Sequence, residues 1–115
     1  MTDSVTTALH LGRLAPVGGG ETVMMGLNCG TVPGIAWPTL RDGVDAAVRV
    51  TDEQAMAAVT ELGALGVDPG PCGAVTLAAL RKVAAEPEWR NLVGLSVDSV
   101  VVVLSTEGIA ANPKC

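Results

Sequence analysis

Apolar residues recur as Ala55, Met56, Val59, Leu62 and Leu65, at three- and four-residue intervals, a spacing that predicts a helix with one buried stripe. Its start is marked by Thr51-Asp52-Glu53-Gln54. This is a capping box: the Thr51 hydroxyl accepts from the amide three residues on, Gln54 reaches back, and two acids sit at the positive end of the helix dipole. Gly66 follows as a natural C′ residue. The rigid turn Pro69-Gly70-Pro71-Cys72-Gly73 leads into a second helix over 74–82, rich in Ala and Leu, with Arg81 and Lys82 in its last turn. Glu86-Pro87-Glu88-Trp89 breaks that helix.

A different pattern follows at 99–104, where every position after Ser99 is apolar and four are consecutive valines. Such a run marks a strand buried on both faces, the kind found inside a parallel sheet covered by helices. Val48, Arg49 and Val50 alternate as a shorter strand, and residues 22–25 form a third candidate that ends in the loop from Gly26 to Gly30. Ile35, Ala36, Trp37 and Leu40 can share one face of a short helix stopped by Gly43. The expected fold class is α/β: a partial three-layer sandwich, the terminal part of a parallel-sheet domain with flanking helices. Residues 1–20 show no sustained period and end in Pro16-Val17-Gly18-Gly19-Gly20, so they read as a tail or linker, and 21–115 as an incomplete domain. A central strand without neighbours leaves its amides unpaired. Either partner strands come from another chain, or this is the end of a longer α/β domain.

Composition narrows the class. The 115 residues and 11.6 kDa are one domain's worth. An apolar share of 49%, a mean hydropathy of +0.45 and 17% charged residues exclude a disordered chain. The apolar run at 100–104 is far short of the roughly 20 residues of a membrane-spanning helix, so no membrane segment is expected. Asp3 stands where a secretory leader would carry a cation, which gives a cytoplasmic expectation. Seven basic against twelve acidic residues, a net charge of -5 and no basic cluster argue against a nucleic-acid partner. Cys29, Cys72 and Cys115 match neither a disulfide framework nor a zinc pattern, so reduced thiols and no metal site are expected. With two Trp, no Phe and no Tyr, the chain has few large anchors for a core of its own.

Three segments could carry chemistry. Ser105-Thr106-Glu107-Gly108 follows the last strand, where ligands bind in open α/β sheets; it is also what a polar exit from a strand looks like, and spacing alone favours that second reading. Gly26-Leu27-Asn28-Cys29-Gly30 offers close backbone approach to a ligand, or an ordinary tight turn. The third, from Gly70 to Ala74, sets amides at a helix N-terminus but lacks the phosphate-loop pattern and its Lys. Cys29 and Cys72 read better as buried thiols than as nucleophiles, because the sole histidine, His10, lies in the tail segment. The pairs Asp42/Asp45 and Glu86/Glu88 read as solvated loop charges.

Taken in order, Thr22 to Pro33 with Ala36-Trp37-Pro38, then Val50 to Glu53 through Gly70 to Ala74, and finally 100–104 with Ser105 to Gly108, resemble the C-terminal part of pyridoxal-phosphate enzymes of the tryptophan synthase β and threonine dehydratase fold type. Within that group the resemblance is closest to the diaminopropionate ammonia-lyase family, and it covers residues 20–110. It implies a pyridoxal-phosphate lyase that converts 2,3-diaminopropionate, a small amino acid, to pyruvate and ammonia by α,β-elimination, as a homodimer when complete. It also implies that Ser105 hydrogen-bonds the pyridine nitrogen of the cofactor and that Gly26 packs close to its ring, with Thr106 and Glu107 further out. A neutral hydroxyl there leaves that nitrogen largely unprotonated.

The departures are as informative. The family's Schiff-base lysine and phosphate loop lie upstream, and neither Lys82, Lys114 nor Gly18-Gly19-Gly20 matches them. Pro71 and Cys72 stand where many relatives carry an acid, so no metal is expected there. No catalytic residue is therefore assigned, and the chain is expected to need the missing N-terminal part. A reading from another class is a noncatalytic interaction module docking on a partner subunit. A thiol-dependent redox protein fits poorly, for want of a Cys-x-x-Cys pair or a suitable histidine.

Overall fold

The computed structural model describes residues 4–18, 22, 30–106 and 108, and the chain divides into two compact units, 1–49 and 50–115. The first contains α1 (Ser4–Leu11) and α2 (Trp37–Gly43). Ala8 of α1 is fully buried in a small core with Val32 and Trp37, flanked by Leu9, Leu14 and Leu40. The tail expected over 1–20 is thus corrected within residues 4–18. Two helical turns are too few to display a period in sequence, and the alanine that seats α1 carries little hydrophobic signal. Beyond the helix, the Val17 amide donates to the Gly30 carbonyl at 2.8 Å. At α2 the amides of Ala36 and Trp37 donate to the Pro33 carbonyl, Pro38 sits in the first turn, and Ile35 points away at 94% exposed.

The second unit begins at the capping box. The Gln54 amide donates to Thr51 Oγ1 at 3.2 Å and the Thr51 amide to Gln54 Oε1 at 2.9 Å, which opens α3 (Asp52–Ala64). Gly66, at φ +83°, ends it in the left-handed region, as expected of a C′ glycine. α4 (Pro71–Ala85) starts three residues before the expected 74, because Gly70 extends as N-cap and Pro71 at the helix start has no amide to lose. α3 packs on α4, and the residues each helix buries are small: Ala55 and Ala58 on one, Gly73, Ala74 and Ala78 on the other. Of the larger residues expected in the buried stripe, Met56, Val59 and Leu62 are half-buried and Leu65 is exposed. Glu86-Pro87 does break α4, and a further helix, α5 (Pro87–Val93), begins at once. Arg90 Nη1 donates to the Ala84 carbonyl at 2.7 Å and ties α5 to the end of α4.

Among the described residues the structure is helical, and its sheet content is one isolated antiparallel bridge between Pro69 and Gly108. Val50 is buried but joins no ladder, so the strand expected over 48–50 is absent, and residues 23–25 lie outside the described chain. The strand expected over 99–104 requires the largest correction. It leaves a turn in which the Ser96 amide donates to Ser99 Oγ at 2.8 Å, and then runs in no regular structure with Val100 92% and Val102 81% exposed. Local sequence can favour extended backbone, but burial on two faces needs neighbouring strands and covering helices.

Candidate functional site

The bridge between Pro69 and Gly108 brings two of the three candidate segments together, setting the loop after Ser105 beside the entry to α4. A Cβ on Gly108 would lie 3.6 Å from the Asp68 carbonyl oxygen, an ordinary contact. Gly70, Pro71 and Gly73 are buried, and the Gly70 carbonyl accepts from the Ala74 amide at 3.0 Å, the first hydrogen bond of α4. Ser105 and Thr106 are exposed three and two residues before the bridge. A serine hydroxyl displayed there can donate one hydrogen bond and accept others, which suits a single heteroatom at the edge of a ring.

The other expected residues are dispersed. Gly26, Cys29, Glu107, Lys114 and Cys115 fall outside the described residues. Cys72, in no disulfide among the described residues, is partly buried in the first turn of α4. His10 is exposed in the last turn of α1. Asp42 pairs with its neighbour, accepting from Arg41 Nε at 2.8 Å, and that hydrogen bond holds its carboxyl below the usual range. Glu86 caps α5 and Glu88 sits in its first turn, both exposed. Among the described residues, no group of three His, Cys, Asp or Glu could hold a metal ion.

A feature not anticipated from sequence is a groove of about 550 Å³ between α3, α4 and the start of α5. Its floor is alanine, Ala57, Ala58, Ala78 and Ala85, and its rim carries Trp89 and the ion pair of Arg81 with Glu61. The signal was present, since positions 54, 57, 58, 61 and 78, 81, 82, 85 repeat one helical spacing. A search for large apolar residues passes over it.

Comparison with known proteins decides the family. A model of the pyridoxal-phosphate dependent enzymes matches residues 1–107. The chain belongs to the pyridoxal-phosphate dependent enzyme family. Pyridoxal phosphate is therefore the cofactor that its membership indicates. Diaminopropionate ammonia-lyase of Escherichia coli K12 is 36% identical over 106 residues, covering 84% of this chain and 27% of its own length. The chain thus spans just over a quarter of the curated relatives it matches. Among solved structures, a threonine deaminase from T.th. superposes with a TM-score of 0.68 at 26% identity, covering 73% of this chain and 31% of that one. Maize serine racemase gives 0.68 at 25%, covering 76% and 28%. Serine racemase from Dictyostelium discoideum gives 0.70 over 92% of this chain and 31% of that one; at 20% identity it shows the fold alone. These neighbours agree with the α/β class, although the described residues are mostly helical. No described helix is long and apolar enough to cross a membrane.

Among the described residues, the hydroxyl of Ser105 is the polar group that the resemblance assigns to the cofactor. An exposed hydroxyl at Ser105 suits a ring nitrogen. The described lysine, Lys82, lies on α4 beside the groove.

Proposed function

We propose that this chain is the C-terminal part of a pyridoxal-phosphate-dependent ammonia-lyase acting on 2,3-diaminopropionate, a cytoplasmic enzyme of amino-acid breakdown. The observation that carries this reading is the 36% identity to diaminopropionate ammonia-lyase over 84% of the chain. In this reading, residues 21–115 are an incomplete α/β domain, the end of a parallel sheet with flanking helices. The segment at 100–104 becomes a central strand once the upstream part supplies its neighbours. Bound pyridoxal phosphate supplies an electron sink for α,β-elimination. This chain contributes the Ser105 hydroxyl, which hydrogen-bonds the ring nitrogen and, being neutral, keeps it from gaining a permanent charge. Gly26 leaves room beside the ring. The lysine that anchors the cofactor and the loop that holds its phosphate come from the N-terminal part, so this chain alone is inactive, and the complete enzyme is a homodimer.

The test is to combine the chain with the upstream three-quarters of a diaminopropionate ammonia-lyase, then follow the cofactor's visible band and pyruvate formation. Cofactor uptake and turnover are expected only in the mixture. Ser105→Asp in that complex should keep the cofactor but lower turnover by about tenfold or more, while Ser105→Thr keeps most of it. A tight complex that never takes up cofactor would refute the enzyme reading in favour of a noncatalytic interaction module. Turnover unchanged by Ser105→Asp would refute the role given to that residue.

A further inference from the structure

A hydroxyl that must meet one ring atom depends on where its loop is held, because a hydrogen bond weakens steeply with distance and angle. Ser105 and Thr106 are exposed, and residues 99–104 before them run in no regular structure. On the other side the loop is pinned: three residues after Ser105, Gly108 forms the antiparallel bridge to Pro69. Three peptide steps reach about 10–11 Å at most, so the bridge confines Ser105 to a small volume near Pro69. Pro69 is suited to hold that end. It is fully buried, its ring fixes φ at about −65°, and Gly70 after it is the N-cap of α4. A Cβ on Gly108 would lie 3.6 Å from the Asp68 carbonyl oxygen, so the two backbones are within van der Waals reach at the bridge.

We propose that Pro69 is a positioning residue that acts through Ser105: by pairing with Gly108 it sets where the Ser105 hydroxyl stands against the ring nitrogen. The role rests on the cofactor contact proposed for Ser105. Freeing residue 69 displaces that hydroxyl without removing it, and a misplacement of about 1 Å can cost about a hundredfold in rate. Pro69→Gly keeps the chain length, releases φ and empties the space of a buried ring, so kcat should fall by about tenfold while KM changes by less than about twofold. The cofactor's visible band should shift in the direction that Ser105→Ala produces. Once Ser105 is replaced by Ala there is no hydroxyl left to position, so adding Pro69→Gly to Ser105→Ala should slow turnover no further.

The tether is tested first on the 115-residue chain, with no cofactor. Residues that face each other in an antiparallel bridge have Cα atoms about 4.5–5.5 Å apart, inside the span of about 4.4–6.8 Å that a disulfide covers. With Cys29, Cys72 and Cys115 changed to Ala, Pro69→Cys/Gly108→Cys should therefore close a cross-link on mild oxidation, mapped by peptide mass spectrometry. Pro69→Cys/Glu88→Cys, with its second thiol at the far end of α4 about 20 Å away, should not. The kinetic and spectral measurements then use the complex with the upstream part of a diaminopropionate ammonia-lyase, and Pro87→Gly, the same exchange at the start of α5, should match wild type in both. If Pro69→Gly weakens folding, seen as lost helical circular dichroism, the cross-linked pair takes its place: turnover should be higher oxidised than reduced. A cross-link that does not form, a Pro69→Gly complex with wild-type kcat and band, or a Pro69→Gly loss that persists undiminished in the Ser105→Ala background would each overturn the proposal. The last two leave the enzyme reading intact. A complex that forms the cross-link but never takes up cofactor refutes the enzyme reading and, with it, any role through Ser105.

Discussion

Thr51→Ala is the sharpest test of how the second unit is held. The substitution removes the Oγ1 that accepts from the Gln54 amide at 3.2 Å, and leaves the return bond from the residue-51 amide to Gln54 Oε1, at 2.9 Å, formally available. Removing a side-chain N-cap costs about 1 kcal/mol. Asp52 and Glu53 still complement the helix dipole, so the loss should not exceed that figure much. With a urea m-value of about 1 kcal/mol/M for a unit this small, the unfolding midpoint followed by helical circular dichroism should fall by about 1 M. The melting temperature should fall by about 4–8 °C. Thr51→Ser keeps an acceptor in place and should recover most of the loss. Gln54→Ala should cost less than Thr51→Ala, because the amide it releases is exposed and finds water. Since the two bonds hold each other's geometry, the double variant should lose less than the sum of the singles. A midpoint moved by less than about 0.2 M in Thr51→Ala, or moved equally by Thr51→Ser, would refute the claim that this box sets the start of α3.

The first unit should depend on Trp37, which closes a core containing Ala8 and Val32. Trp37→Ala should cost about 3 kcal/mol there, read as lost protection of α1 amides in hydrogen exchange while α3 and α4 stay protected. Asp42 should titrate below the usual carboxylate range because the Arg41 guanidinium donates to it. A depressed folded value means that any contribution to stability is present above the unfolded pKa and lost as pH falls through the folded one. Both groups are exposed, so the effect on the unfolding midpoint should be slight. Carboxyl NMR should show Asp42 returning to ordinary values in Arg41→Gln.

What could be read in the sequence was whatever local chemistry decides. The cap at Thr51 and Gln54 and the stop at Gly66 are encoded within a few residues, and α3 runs between them. The start of α4 was displaced by three residues because a turn rich in Gly and Pro reads as loop, although Pro is well suited to a first helical turn. Glu86-Pro87 was legible as a break but not as a new start. Where the outcome depends on distant partners, the pattern and the described structure differ. The valines at 100–104 have the composition of a buried strand, yet burial belongs to the surroundings. The stripe on α3 was assigned to its large residues, whereas the residues that α3 buries are Ala55 and Ala58. At the candidate site, the resemblance singled out Ser105, and the meeting of its loop with Pro69 could not be seen from spacing.

That seam has a thermodynamic corollary. Alanine and glycine have no rotamers to lose, so bringing Ala55, Ala58, Gly73, Ala74 and Ala78 together costs backbone entropy alone. A leucine-rich interface gives up about 0.5–1 kcal/mol of side-chain freedom per residue, and can recover from damage by rearranging. This one has nothing to rearrange. The joint between α3 and α4 is thus inexpensive to order, and the groove beside Ala58 and Ala78 leaves it open on one side.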